Sequence, residues 1–450
     1  MNKTLIKCAT LVNEGEIKVA DVLLHGERIE KIESSIVAPV GNIKIVDAEG
    51  LHLLPGMIDD QVHFREPGLT HKGNIYSESR AAIAGGITSY MDMPNTNPNT
   101  TTLKLLEEKY QLAANSSFAN YSFFMGINKN NLEESLKINN ETVCGLSDDG
   151  LYFENQDGIM ANYPDYLKTL FSKSDSLIAL HCEDDSIIEK NLQRYKSKFG
   201  NEIPVKFHPF IRNEDACYTA TKRVVEIAKK YNTRLHILHV STKKETTLFD
   251  SKSPVSQKRI TAEACVHHLW FSETDYKTKG ALIKWNPSIK SGNNKNGLLQ
   301  ALKENKLDII ATDHAPHTLV EKSGNYFQIK SGAPLVQHAL PILLEMYHQN
   351  KISLQEIVKR TSHNVAEIYR IKDRGYLREG YYSDLVLVDI NKQWTASQDS
   401  ILYKCGWSPF TDYQFKSKVI GTFVNGSHVF DNGNFSKSNY GNRLLFEKIR

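Results

Sequence analysis

Hydrophobic and polar residues alternate with a period of two through the first fifty positions, in T-L-I-K-C-A-T-L-V, I-K-V-A-D-V-L-L, E-R-I-E-K-I and I-K-I-V-D-A. Turn residues at Asn13-Glu14-Gly15 and His25-Gly26 interrupt the runs. Successive strand residues face opposite ways, so this pattern predicts short antiparallel strands. From about Pro55 the texture changes. Apolar strand runs such as G-I-T-S-Y-M-D-M, N-Y-S-F-F-M-G-I, S-L-I-A-L-H, R-L-H-I-L-H-V and L-D-I-I-A-T-D alternate with stretches of helical spacing such as ESRAAIAGG, LKLLEEKYQLA and ATKRVVEIAKKY. Repeated strand-helix units predict a parallel sheet with crossover helices, either an open doubly wound sheet or a closed eightfold barrel. After about Tyr376 the strand texture returns in YYSDLVLVDI, KVIGTFVNG and SHVFDNG. The two chain ends therefore resemble each other. The expected organisation is one β module built from residues 1–54 and 371–450, flanking an α/β domain over 55–370. Residues 190–210 are expected to form a long loop or lid.

Length and composition narrow the functional classes. A chain of 450 residues has room for a large core and a second module. A net charge of +3 with no basic patch argues against a nucleic-acid partner. No apolar run reaches the roughly 18 residues that span a bilayer, and the first residues, broken by Lys7, are too short for a signal segment. Six scattered cysteines without a C-x-x-C pair fit a reducing compartment, so a cytoplasmic location is expected.

The candidate chemistry lies where central strands end. His63, Asn95, Asp148-Asp149, His181, His239, His267-His268 and Asp313 each follow or close an apolar run. Imidazoles and carboxylates converging from separate strands are what a divalent metal site needs. One such residue means little; several at corresponding places carry weight. His52, His236 and His268 take the plainer reading of core residues that orient their neighbours. Asp148 and Asp149 also fit a turn in S-D-D-G, Arg65 a salt bridge to Glu66, and Asn95 a loop cap.

The motifs D-x-Q-x-H-F-R-E-P-G, M-P-N-T, S-D-D-G, A-L-H-C-E-D, H-V-S-T, H-H-L, K-W-N-P and A-T-D-H-A-P-H, in this order, resemble the amidohydrolase superfamily and within it the larger, bacterial class of dihydroorotases. The resemblance implies a (β/α)8 TIM-like barrel with a small β-sandwich domain from both chain ends. It also implies one or two zinc ions per chain and the reversible cyclisation of N-carbamoyl-L-aspartate to L-dihydroorotate in pyrimidine synthesis. By the same resemblance His63 and Asp313 bind a first metal, Asp149 bridges, and His181 and His239 hold a second. Asp313 is the implied general base. Arg65, Asn95 and His317 are implied for the substrate carboxylate, Asn286 for the ring amides, and Ala333 and Pro334 for backbone contacts. A homodimer and association with aspartate transcarbamoylase belong to the same set of expectations.

One position departs from the family pattern, because Gln61 stands where a histidine is expected. A neutral amide oxygen is a weaker zinc ligand than imidazole. Gln61 could still coordinate, could leave one metal on Asp149, His181 and His239, or could mark a non-catalytic partner of the transcarbamoylase. Hydantoinases and allantoinases are the nearest catalytic rivals. They typically bridge their metals with a carboxylated lysine, whereas V-C-G-L-S-D-D-G has no lysine at its end.

Overall fold

The computed structural model describes residues 3–151, 160–437 and 441–448. The first part of the chain gives β1 (Lys3–Asn13), β2 (Glu16–His25), β3 (Arg28–Glu33), β4 (Ile43–Asp47) and β5 (His52–Pro55). The last part contributes β14 (Leu385–Asp389), β17 (Lys418–Val424), β18 (Ser427–Asp431) and β19 (Asn434–Phe435), with β15 (Trp394–Thr395) and β16 (Gln414–Phe415) as a separate ribbon. These strands form one sheet in the order β19-β18-β17-β14-β5-β1-β2-β3, with β4 paired to β1. The two chain ends meet where β14 runs antiparallel to β5.

Between them lie β6 (Met57–Val62), β7 (Ile87–Asp92), β8 (Asn120–Gly126), β9 (Gly145–Ser147), β10 (Ile178–Leu180), β11 (Leu235–Ile237), β12 (Ile260–Cys265) and β13 (Ile309–Ala311). All eight are parallel neighbours in chain order. The ring closes through a parallel bridge between Val62 and His314 and a 2.8 Å bond from His63 N–H to the His314 carbonyl. The closed barrel, rather than the open sheet, is the architecture. Its strands are buried on both faces, which is why they read as apolar runs without alternation.

The crossover helices follow from capping and spacing. The helix Glu214–Tyr231 begins at Asn213, whose side chain accepts from Ala216 N–H, and ends at Asn232 in the left-handed conformation. Its buried positions Cys217, Ala220, Thr221, Val224, Val225 and Ala228 recur every three or four residues and form one face. Residues 190–210 differ from the loop expected of them. The helix Asp185–Phe199 occupies the first half, capped by Asp184, whose carboxylate accepts from Ser186 and Ile187 N–H. A cluster of Ile203, Ile211 and Tyr326, joined by Ile188, Leu192 and Phe199, holds this segment down.

Register slips between Asp59 and Val62 where β6 meets β7. A bulge of this kind re-aims successive side chains. Asp60 and Gln61, neighbours in the chain, accordingly both meet residues of the barrel's far strands.

Candidate functional site

The strand ends at the C-terminal face bring the expected ligands together. His63 Nε2 lies 3.2 Å from Asp149 Oδ2 and 3.2 Å from Asp313 Oδ1. On the other side of Asp149, Oδ1 lies 3.6 Å from His181 Nδ1 and 3.7 Å from His239 Nε2, and those two nitrogens are 2.9 Å apart. Asp149 thus gives one oxygen to each of two donor groups: His63-Asp149-Asp313 and Asp149-His181-His239. Every member is buried.

This donor set fits divalent cations. Edges of this length are those of ligand atoms about 2.0–2.2 Å from a common centre. Two imidazole nitrogens 2.9 Å apart that both face one carboxylate oxygen are aimed as ligands are, with a cation or a proton needed between them. His63 is oriented by its other nitrogen, because Nδ1 lies 2.7 Å from Asn95 Oδ1 and Nε2 is left for the cluster. Arg65, His239 and Asp313 sit at φ of 70°, 36° and 47°. Such backbone costs about 1–3 kcal/mol per residue and persists where the surroundings impose it, as they do at functional sites.

Gln61 packs against the shared carboxylate. Its amide nitrogen donates to Asp149 Oδ2 at 3.1 Å, and its oxygen accepts from Cys265 Sγ at 3.5 Å. The carboxylate beside it is an acceptor, so the amide turns its N–H toward Asp149 and its oxygen away. Gln61 holds the shared carboxylate in place.

Electrostatics separates the members. Burial alone would raise the Asp149 carboxyl, but hydrogen bonds with His181, His239 and His63 hold it well below the usual carboxylate range. Burial opposes charge on His63 and His181, yet their carboxylate partners bring each up to about 9. For His63 the partners are Asp149 and Asp313; for His181 they are Asp149 and Glu183. Burial raises Asp313 above the ordinary carboxyl value, with His63 opposing.

The cluster opens into a cavity of 360 Å³. Arg65, Asn95, Asn286 and His317 line it, as the sequence led us to expect. Arg65 Nη2 lies 3.3 Å from His317 Nε2, and Arg65 Nε donates to the Pro316 carbonyl at 3.2 Å. Burial holds His317 well below its ordinary pKa, with Glu321 opposing, so the ring is neutral. Asn286 Oδ1 is buried without a partner among the described residues. Ser331 and Gly332 line the cavity, and Ala333, expected with Pro334 to offer backbone contacts, follows them and is bridged to His314. The segment 185–211 overhangs the opening through Ile188, Leu192, His208 and Ile211.

Several contributors escaped the sequence reading. Glu183, fully buried, accepts from His181 Nε2 at 2.9 Å and pairs with Arg212 at 3.1 Å, so the nitrogen of His181 that faces away from Asp149 is held by a carboxylate. It lies two residues after His181 in A-L-H-C-E-D, and only that proximity could have flagged it. Lys72, 3.3 Å from His317 Nδ1, adds a buried cation. Asp148 does more than turn the chain. Its oxygens accept from His181 N–H at 3.0 Å, at the end of β10, and from Met160 N–H at 2.9 Å, because a buried carboxylate must find donors. Gly150 is required where it stands: at φ 73°, a Cβ there would come within 2.2 Å of Asn95 Nδ2. Of the histidines given the plainer reading, His236 pairs with Thr261, Asp60 and Glu263 below the mouth, and His268 Nε2 lies 3.1 Å from the Pro287 carbonyl.

Residues 52–429 match the profile of the amidohydrolase family. Among curated proteins, a dihydroorotase of Ehrlichia canis is 31% identical over 390 residues, covering 86% of this chain and 85% of its own. A dihydroorotase of Pyrococcus furiosus is 31% identical over 408 residues, covering 90% and 88%. Among solved structures, the L-hydantoinase of Arthrobacter aurescens superimposes with a TM-score of 0.91 at 22% identity, covering 99% of this chain and 100% of its own. The dihydropyrimidinase of Brevibacillus agri gives 0.86 at 24% identity, with the same coverage. At these identities the two structures speak for the fold.

Proposed function

Because the chain belongs to the amidohydrolase family and is a cyclic amide hydrolase, we propose that it is a dihydroorotase, interconverting L-dihydroorotate and N-carbamoyl-L-aspartate in pyrimidine synthesis. The observation that carries this reading is one cavity in which Asp149, shared between two donor groups, faces Arg65 and His317. The curated relatives support it. So does the end of β9, which supplies Asp149 and no lysine.

Each side chain has a task suited to its placement. Arg65 receives the substrate carboxylate through two parallel hydrogen bonds, which its planar fork favours. Asn95 and neutral His317 flank that carboxylate, and the unpaired Asn286 oxygen accepts from a ring N–H. His63, Asp149, His181, His239 and Asp313 would hold one or two zinc ions. When bound, zinc supplies acidification of water and polarisation of the amide carbonyl. Asp313 takes the proton of the attacking water. As the ring C–N bond breaks, it delivers that proton to the departing nitrogen, so one carboxyl serves both half-steps.

The test is a comparison of turnover with dihydroorotate, hydantoin and allantoin at equal concentration. Dihydroorotate is expected to be the preferred substrate. Preference for either of the others would reassign the enzyme within its family.

A further inference from the structure

The opposite end of the barrel carries a cleft larger than the catalytic one. It occupies 780 Å³ at the N-terminal ends of β10, β11 and β12, with Leu177, Leu235, Val255 and Ile368 among its lining residues. Five cationic side chains face it, from the starts of β11 and β12, the end of the helix Asn364–Tyr369 and the C-terminal segment. They are Arg234, Lys258, Arg259, Arg370 and Lys448, against the carboxylates of Glu367 and Glu447. Lys258 is neutralised by Asp308 at 2.7 Å, and Glu367 accepts from Tyr376 Oη at 2.9 Å.

The three arginines are different. None forms an ion pair with a carboxylate of the described residues. Among the described residues, Arg234 donates to the Ile368 carbonyl at 2.7 Å and Arg259 to the Asn232 carbonyl at 3.0 and 2.6 Å. They also crowd one another. Burial, then the charges of Arg370 and Arg259, depress Arg234 to about 9, and burial and Arg259 lower Arg370. Arg234 and Arg370 are half-buried, where a cation is normally paired, and Arg259 stands exposed beside them. Cationic side chains that line one solvent-open cleft, outnumber its carboxylates and in three cases have no ion pair among the described residues are what an anion-binding site presents. A single carboxylate offers two oxygens and satisfies one guanidinium fork, whereas linked phosphates offer enough for three.

We propose that Arg234, Arg259 and Arg370 form a second ligand site, on the barrel face opposite the catalytic mouth, for the diphosphate group of a small molecule. The shared chemistry is the diphosphate; inorganic diphosphate and a nucleoside diphosphate are its two sources. The apolar residues beside the arginines favour the latter, since they would lie beneath a base or sugar.

Calorimetric titration of the full metal-loaded enzyme at fixed ionic strength tests this, with inorganic diphosphate and uridine diphosphate as probes and sulfate as the screening control. Saturable binding of at least one probe is expected, well above the sulfate control. In the double variant Arg259→Gln/Arg370→Gln it is expected to weaken at least about tenfold, the loss of one charge-assisted hydrogen bond. Neither residue belongs to the catalytic cavity, so basal turnover should be unchanged. Any metal chelation by the probes is common to both proteins and cancels in the comparison. If the double variant fails to fold, Arg370→Gln alone serves. Tighter binding of the nucleotide would assign the apolar part of the cleft to the nucleoside; equal affinities would leave the phosphates as the whole determinant. Binding no stronger than sulfate, or equal affinity in wild type and variant, overturns the proposal.

Discussion

The barrel holds two buried clusters of the same residue types, and they have opposite electrostatic characters. At the mouth, three imidazoles surround two carboxylates, and the shared Asp149 is held well below the usual range. Deeper in the barrel, Asp60, His236 and Glu263 put one imidazole between two carboxylates, at 3.4 and 3.2 Å. There burial dominates. Asp60 is pushed well above the ordinary value, with Glu263 adding to the effect, and burial brings Glu263 to about 8 while lowering His236. The mouth is thus a set of donors opening on a cavity, and the deep cluster a hydrogen-bonded plug in which burial disfavours charge. Both would pass a search for His, Asp and Glu in proximity. The ratio of imidazole to carboxylate, and access to a cavity, tell them apart. The two are joined through Glu263 Oε1, which accepts from His239 N–H at 3.0 Å.

This difference can be broken from either side. The largest effect is expected for Asp313→Asn, which should lower kcat by about 10²–10⁴, the usual worth of a positioned general base. Metal held by Asp149, His181 and His239 should remain, as measured by elemental analysis. Next is Glu183→Gln, which leaves His181 without its charged partner. Metal affinity should fall by about 10–100-fold in a chelator competition, whereas a merely structural role for Glu183 would lower the melting temperature and leave affinity intact.

A pH series on metal-free protein sharpens the contrast further. His63 and His181 are raised to about 9 by their carboxylate partners, so the stability they contribute is fully present below about pH 6.5 and lost as pH rises toward 9. Calorimetry of metal-free protein should show a melting temperature that falls across this window by roughly 2 °C for each kcal/mol lost. Metal-loaded protein, whose imidazoles are already neutral, should lack that fall. The smallest effect belongs to the deep cluster. Asp60→Asn puts a neutral isostere in place of a carboxyl whose charge burial opposes, so stability should change by less than about 1 kcal/mol and metal content not at all.

Much of this was legible in the chain. The change from period-two alternation to uniform apolar runs marked the passage from the outer sheet to strands covered on both faces, and the candidate ligands at the ends of β6, β9, β10, β11 and β13 stood out because reactive groups recur there. Other features could not be read locally. The orientation of the Gln61 amide depends on Asp149, 88 positions away, and on Cys265, 204 away. The bridge of Ala333 to His314 is a matter of barrel closure. Residues 190–210 were expected to form a loop or lid, yet a helix runs through their first half. The helix there has no buried residue of its own class, and only tertiary contacts with Tyr326 reveal its packed side. Glu183 escaped because a carboxylate two places after a ligand has no distinctive spacing.

The central claim is that Asp149 is shared by two cation-holding groups at the barrel mouth while the chemically similar plug beneath it stays empty of metal. Anomalous diffraction at the zinc edge from crystals of zinc-loaded protein tests it most directly. The account predicts density bounded by Asp149, His181 and His239, with any second peak between Asp149, His63 and Asp313. A mouth without a peak, or zinc lodged among Asp60, His236 and Glu263, would contradict it.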